Sequence, residues 1–226
     1  MCDNTDIKEA ILSGNAKAAE ELTQRWLSSG RSARELRDTA LSPAIEAIRE
    51  QYARQAFYLP ELLVSLRAAK AALSAVDAAG GREQLTCGKV VVGSLAWNGH
   101  GMCRDTIANL LEVCGWDVVD LGGDVSPAQF ADVCANARAS VLVVVELPIA
   151  SGRMSSRVPC QEVAALVEEM EARGIRQRTR ILFVGLAADS LPQGLHEVDA
   201  ICGDLMEVPS SVQGLVKRPR AASCSC

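Results

Sequence analysis

The sequence predicts an α/β protein: an N-terminal four-helix bundle followed by a doubly wound, Rossmann-like parallel sheet. Apolar residues recur at helical spacing through residues 6–79, with short loops between the runs, and such a set packs as a bundle. Further on, short β-branched runs alternate with helix-patterned stretches, which is how strands buried on both faces and joined by crossover helices read. Between the halves lies Ala78-Ala79-Gly80-Gly81-Arg82-Glu83, polar and glycine-bearing as linkers are. The expected division is a helical domain over 1–82, a sheet domain over 83–216 and a disordered tail over 217–226.

A short helix is expected over 6–13, and 15–29 carries Ala18, Ala19, Leu22, Trp26 and Leu27 on one face, with Gly30 as its stop. Residues 33–53 place Leu36, Ala40, Leu41, Ala44, Ile45 and Ile48 together, and Pro43 marks a bend or a break. The last helix of the bundle, 58–79, opens with Leu59-Pro60-Glu61, a proline suited to the first turn. Strands are expected at 89–93, 118–121, 141–145, 181–184 and 199–202. Helices are expected at 105–114, 127–138 and 161–173, with a brief one near Leu191.

With 23 basic and 28 acidic residues the formal charge is −5, which argues against a nucleic-acid partner. The one basic cluster, Lys217-Arg218-Pro219-Arg220, reads as a solvated tail. No apolar run approaches the ~20 residues a bilayer span needs, and the N-terminus lacks a signal-peptide pattern, so a cytoplasmic location with no membrane partner is expected. The nine cysteines are then expected to be mostly reduced. Cys87, Cys114, Cys134 and Cys202 sit singly among apolar residues and read as small hydrophobes. Cys224 and Cys226 close a Ser/Ala-rich tail, and His196 reads as a helix-end residue.

The most informative stretch is Ser94-Leu95-Ala96-Trp97-Asn98-Gly99-His100-Gly101-Met102-Cys103. It places one of only two histidines in a glycine-flanked loop between the first strand and the next helix. Ligands bind in α/β sheets at such loops, and an imidazole there can reach a metal or a substrate. The His100 to Cys103 spacing also occurs in zinc sites, but nothing fixes Cys224 and Cys226 near the loop to complete four ligands.

Taken together, Tyr58-Leu59-Pro60-Glu61-Leu62, Lys89-Val90-Val91-Val92-Gly93, Gly115-Trp116-Asp117-Val118-Val119-Asp120-Leu121-Gly122 and Val184-Gly185 resemble a known family. It is that of the corrinoid proteins of anaerobic methyltransferase systems, which share a module with cobalamin-dependent methionine synthase. The resemblance runs from about Asp6 to Gly214 and implies a four-helix cap joined to a Rossmann-like cobalamin domain. It also implies a cofactor, cobalamin or a related corrinoid with its cobalt, and His100 as lower cobalt ligand in place of the nucleotide base. The family loop is Asp-x-His-x-x-Gly; here it reads Asn98-Gly99-His100-Gly101-Met102-Cys103, with the histidine in register and both flanking positions changed.

Those changes have chemical consequences. Asn98 accepts a hydrogen bond but brings no charge, so His100 is expected to be a weaker donor to cobalt than its family counterparts. Cys103 stands where the family has glycine, and at a helix start its thiol is open to acidification. The family's Ser-x-Leu becomes Val145-Glu146-Leu147, and its paired glycines become Gly185-Leu186, so the base-binding tunnel is altered on three walls. Trp97 replaces a small residue, and Tyr58 with Phe57 either covers the upper cobalt face or packs into the bundle core.

The function the resemblance implies is that of a carrier. It would bind cobalamin base-off and shuttle a methyl group from a substrate-specific methyltransferase to a second, methyl-accepting one, with a reductive activase as a further partner. The alternative is a non-catalytic corrinoid sensor, storage or partner-binding protein with a degenerate site. A sensor of the transcriptional type would carry a basic helix-turn-helix, and none is present in the sequence.

Overall fold

The computed structural model describes residues 4–54, 58–81, 87–95, 101–146, 160–185 and 197–217. The chain divides into two compact units, one of residues 1–88 with 108–117, the other of residues 89–107 with 118–226.

The first unit is helical. It contains α1 (Asn4–Leu12), α2 (Ala16–Ser28), α3 (Ala33–Leu36), a π-helical turn (Arg37–Leu41), α4 (Ser42–Ala53) and α5 (Leu59–Ala78). Asn15 and Ser32 cap α2 and α3, accepting from the Ala18 and Glu35 amides at 3.1 and 3.0 Å. Pro43 neither breaks nor ends the 33–53 segment. It has no N–H, and its ring would press on the carbonyl one turn back; the helix widens into the π turn just before it and continues. Ile7, Ile11, Trp26, Leu36, Leu41, Ile48, Leu62 and Leu66 are fully or almost fully buried and form the core. Lys70 of α5 reaches Glu112 at 2.7 Å and the side-chain oxygen of Asn109 at 2.9 Å, which ties residues 108–117 into this unit.

The second unit is built on five strands: β1 (Lys89–Gly93), β2 (Asp117–Asp120), β3 (Val141–Val145), β4 (Arg180–Val184) and β5 (Ala200–Cys202). Their spatial order is β2-β1-β3-β4-β5, with β1, β3, β4 and β5 mutually parallel. Val91, Leu142, Val144, Ile181 and Phe183 share a core with Phe130 and Cys134 of α7 (Pro127–Ala137) and Val163, Leu166 and Met170 of α8 (Cys160–Ala172). Alternate strand residues point the other way and are equally buried, so these strands read as unbroken apolar runs. The helix α6 (Gly101–Val113) follows β1, and the last described elements are a 3₁₀ turn (Leu205–Glu207) and α9 (Val208–Lys217), which packs on β3, β4 and β5. The sequence reading left 203–216 unassigned, although Val208, Val212 and Leu215 are the buried face of α9. The expected helix near Leu191 lies outside the described residues, as does His196.

Two arginines stitch the amino-terminal ends of β4 and β5. Asp199 accepts from Arg176 at 2.7 Å, from Arg180 at 3.1 Å and from the Ile181 amide at 2.8 Å. Burial alone would raise its carboxyl, but the amide and the two guanidinium groups outweigh it and hold the group below the ordinary aspartate range.

Candidate functional site

In a sheet of order 2-1-3-4-5 the chain leaves β1 and β3 in opposite directions, and the crevice at their carboxyl ends is where sheets of this type receive ligands. Gly93 and Val144 are register partners, so Ser94 and Leu95 lie beside Val145 and Glu146. Side chains take over there from the backbone ladder. The Ser94 hydroxyl donates to the Val145 carbonyl at 2.7 Å, and the Leu95 amide donates to the Glu146 carboxylate at 2.7 Å. Ser94 is also held on the β2 side, its amide donating to Gly122 O at 3.0 Å and its carbonyl accepting from Val125 N at 3.0 Å. A Cβ at Gly93 would lie 2.8 Å from the Phe130 ring, so only glycine lets the strand end this close to α7.

The helix after β1 starts at Gly101, four residues before the expected Asp105. Gly101, Met102 and Cys103 therefore belong to its first turn and not to the preceding loop. Cys103 is buried, and burial pushes its thiol up, which corrects the expectation of an acidified thiol. Arg104, which the sequence reading passed over, fastens this turn to the one after β2. Its Nη2 donates to Asp105 at 2.6 Å, and its Nε lies 3.2 Å from Asp120 Oδ1 without the alignment of a hydrogen bond. Asp120 in turn accepts from the Gly122 amide at 2.9 Å, and Gly122 has a φ of +79°. No sequence signal links Arg104 to Asp120, because the contact depends on β2 lying next to β1.

Of the expected site residues, Val145 is buried at the end of β3, and Gly185 follows β4 with its amide on Cys202 O at 3.0 Å. Asn98, Gly99, His100, Leu147 and Leu186 lie outside the described residues, as do Phe57, Trp97, Cys224, Cys226 and the side chain of Met102. Tyr58 is 69% exposed, which removes it from the bundle core. Its amide donates to the Glu61 carboxylate at 3.2 Å, so it opens α5 as a cap residue. Cys134 and Cys202 are buried as expected, but Cys87 is exposed, contrary to its reading as a small core hydrophobe.

The described residues hold no group of three or more His, Cys, Asp or Glu able to bind a metal ion. No helix among the described residues is long and apolar enough to cross a membrane.

A family model described as a B12 binding domain matches residues 4–77. The chain is 23% identical over 181 residues to trimethylamine corrinoid protein 2 of Methanosarcina mazei, covering 79% of each. It is 21% identical over 184 residues to a corrinoid protein of Desulfitobacterium hafniense, covering 80% of this chain and 82% of that one. Among solved structures, the methanol:cobalamin methyltransferase complex MtaBC from Methanosarcina barkeri superposes with a TM-score of 0.77 at 18% identity, over 96% of this chain and 80% of that one. A cobalamin-binding protein from Desulfitobacterium hafniense superposes with a TM-score of 0.69 at 14% identity, over 94% and 98%. Residues 4–77 thus match a B12 binding domain model, and the chain is similar in sequence to corrinoid proteins and in fold to cobalamin-binding proteins with a helical domain and a Rossmann-like sheet.

Proposed function

We propose that the chain is a corrinoid carrier, binding cobalamin or a related corrinoid with the nucleotide base off cobalt and passing a methyl group between partner methyltransferases. The observation that supports this best is positional: the strand order brings the segment that contains His100 out of β1 at the β1/β3 divergence, where this sheet type receives its ligand. The trimethylamine corrinoid proteins to which the chain is similar support the same reading.

In this reading His100 would be the protein's ligand to cobalt, and Asn98 would accept a hydrogen bond from its second ring nitrogen. The residues that would hold the cofactor tail are Gly99, Gly101, Met102 and Cys103 after β1, Val145 and Leu147 at the end of β3, and Gly185 and Leu186 after β4. The cobalt of a bound corrinoid supplies the centre that carries the methyl group. The protein's own share is ligation, orientation and exclusion of water. Its partners are a substrate-specific methyltransferase, a second methyltransferase that accepts the methyl group, and a reductive activase.

A second reading, a corrinoid storage, sensor or partner-binding protein, draws on one observation: Val145 is apolar and buried where the family pattern has a hydroxyl. Anaerobic reconstitution with cobalamin separates the two. The carrier reading expects a Co(II) electron paramagnetic resonance spectrum split by one nitrogen in the wild type and a water-ligated spectrum in His100→Ala. An identical spectrum in both proteins removes His100 from cobalt.

A further inference from the structure

Two cysteines distant in sequence meet in the first unit. Cys87, just ahead of β1, donates its backbone amide to Gly115 O at 2.6 Å, and its thiol reaches the Cys114 carbonyl at 3.9 Å. Cys114 directly follows α6. The two differ in environment: Cys87 is exposed, Cys114 is half-buried, and both are reduced. Burial first, and the neighbouring Cys87 second, push the Cys114 thiol up to about 12. Both stand beside places where the chain passes between its two units, Cys87 next to Gly88 and Cys114 shortly before Asp117.

We propose that Cys87 and Cys114 form an oxidation site for small disulfides, with Cys87 the entry thiol and Cys114 the resolving one. The Cys87 thiolate attacks one sulfur of a low-molecular-weight disulfide RSSR, forming a protein mixed disulfide and releasing one RS⁻, which takes up a proton. The Cys114 thiolate then attacks the Cys87 sulfur, the protein disulfide forms, and a second RS⁻ leaves. Two protein thiols are oxidised and one RSSR is reduced to two RSH. The ring so closed contains β1, the His100 segment and α6, so oxidation fixes both ends of the stretch that carries the candidate ligand. Nothing in this chemistry depends on whether a corrinoid binds.

The second step is the slow one. With its thiol near 12, Cys114 is ionised to roughly one part in ten thousand at pH 8, so the mixed disulfide accumulates and resolves about tenfold faster per pH unit. The test treats the reduced full-length chain with oxidised glutathione, quenches with acid and maps peptides by mass spectrometry at pH 7, 8 and 9. The expected course is glutathione on Cys87 first, then a Cys87–Cys114 linked peptide whose rate of appearance climbs with pH. In Cys114→Ser glutathione stays on Cys87, and in Cys87→Ser Cys114 remains unmodified over the same time. A lasting glutathione adduct on wild-type Cys87 at pH 9 overturns the proposal, as does modification of Cys114 in Cys87→Ser at the wild-type rate, or no reaction at Cys87.

Discussion

Single side chains decide more here than their exposure suggests, and Asp199 is the clearest case. Its carboxylate is the shared partner of Arg176 and Arg180, whose side chains are only 9% and 15% exposed. Arg176 also donates to Glu197 O at 2.7 Å, so the cluster is nearly saturated with partners. Asp199→Asn keeps the shape but leaves two largely buried cations without their counter-charge, and a loss of about 3 kcal/mol or more is expected. Because the folded carboxyl titrates below its ordinary value, its contribution is complete above the unfolded value of about 3.9 and disappears as pH falls through the folded one. Urea midpoints of wild type and Asp199→Asn should therefore be far apart at pH 7 and converge below pH ~4. A constant gap across that range would mean that the effect of Asp199 lies in packing and not in charge.

At the scale of elements, the joint between β1 and β3 rests on two side chains, Ser94 and Glu146, that finish what the ladder begins. In Glu146→Ala the half-buried Leu95 amide loses its acceptor, a cost of about 1–3 kcal/mol, whereas the amide oxygen of Glu146→Gln still accepts. Hydrogen exchange at the Leu95 amide should be fast in the alanine variant and close to wild type in the glutamine one. Equal exchange in all three proteins would mean that Glu146 does not hold the start of the His100 segment. This joint was not legible in the sequence, where Ser94 and Glu146 are ordinary polar residues after apolar runs, and the Arg176, Arg180 and Asp199 cluster was hidden for the same reason. What was legible is local: the helical spacing of Leu36, Ala40, Ala44 and Ile48, and the Val141–Val145 run, each read from neighbours three to five residues away, whereas the caps at Asn15 and Ser32 went unread. Cys87 was misread because its surroundings depend on the end of α6 returning beside it. The early start of α6 at Gly101 was missed because glycine and cysteine are weak helix formers, and tertiary context overrides that preference.

For the molecule as a whole, the question is which corrinoid a chain with this pocket pattern accepts. Two of the residues proposed to border the nucleotide tail are larger or less polar than the family pattern: Cys103 and Val145 are buried, and the Val145 carbonyl is already engaged by Ser94. With Leu186 in place of a glycine as well, three larger or less polar residues stand along the expected path of the nucleotide tail. Overpacking of this kind costs ~1–3 kcal/mol per site, which is enough to invert a preference between cofactors that differ only in the tail. Wild type should therefore bind cobinamide, which lacks the lower base, more tightly than cobalamin. The combination Cys103→Gly, Val145→Ser and Leu186→Gly should tighten cobalamin by more than tenfold while leaving cobinamide nearly unchanged. Calorimetric titration of both proteins with both corrinoids reads this directly. Equal tightening of the two ligands would place the effect on the corrin ring and not on the tail. If wild type takes up neither and the triple variant takes up cobalamin, the natural chain has given up its cofactor while keeping the fold, and the partner-binding reading replaces the carrier.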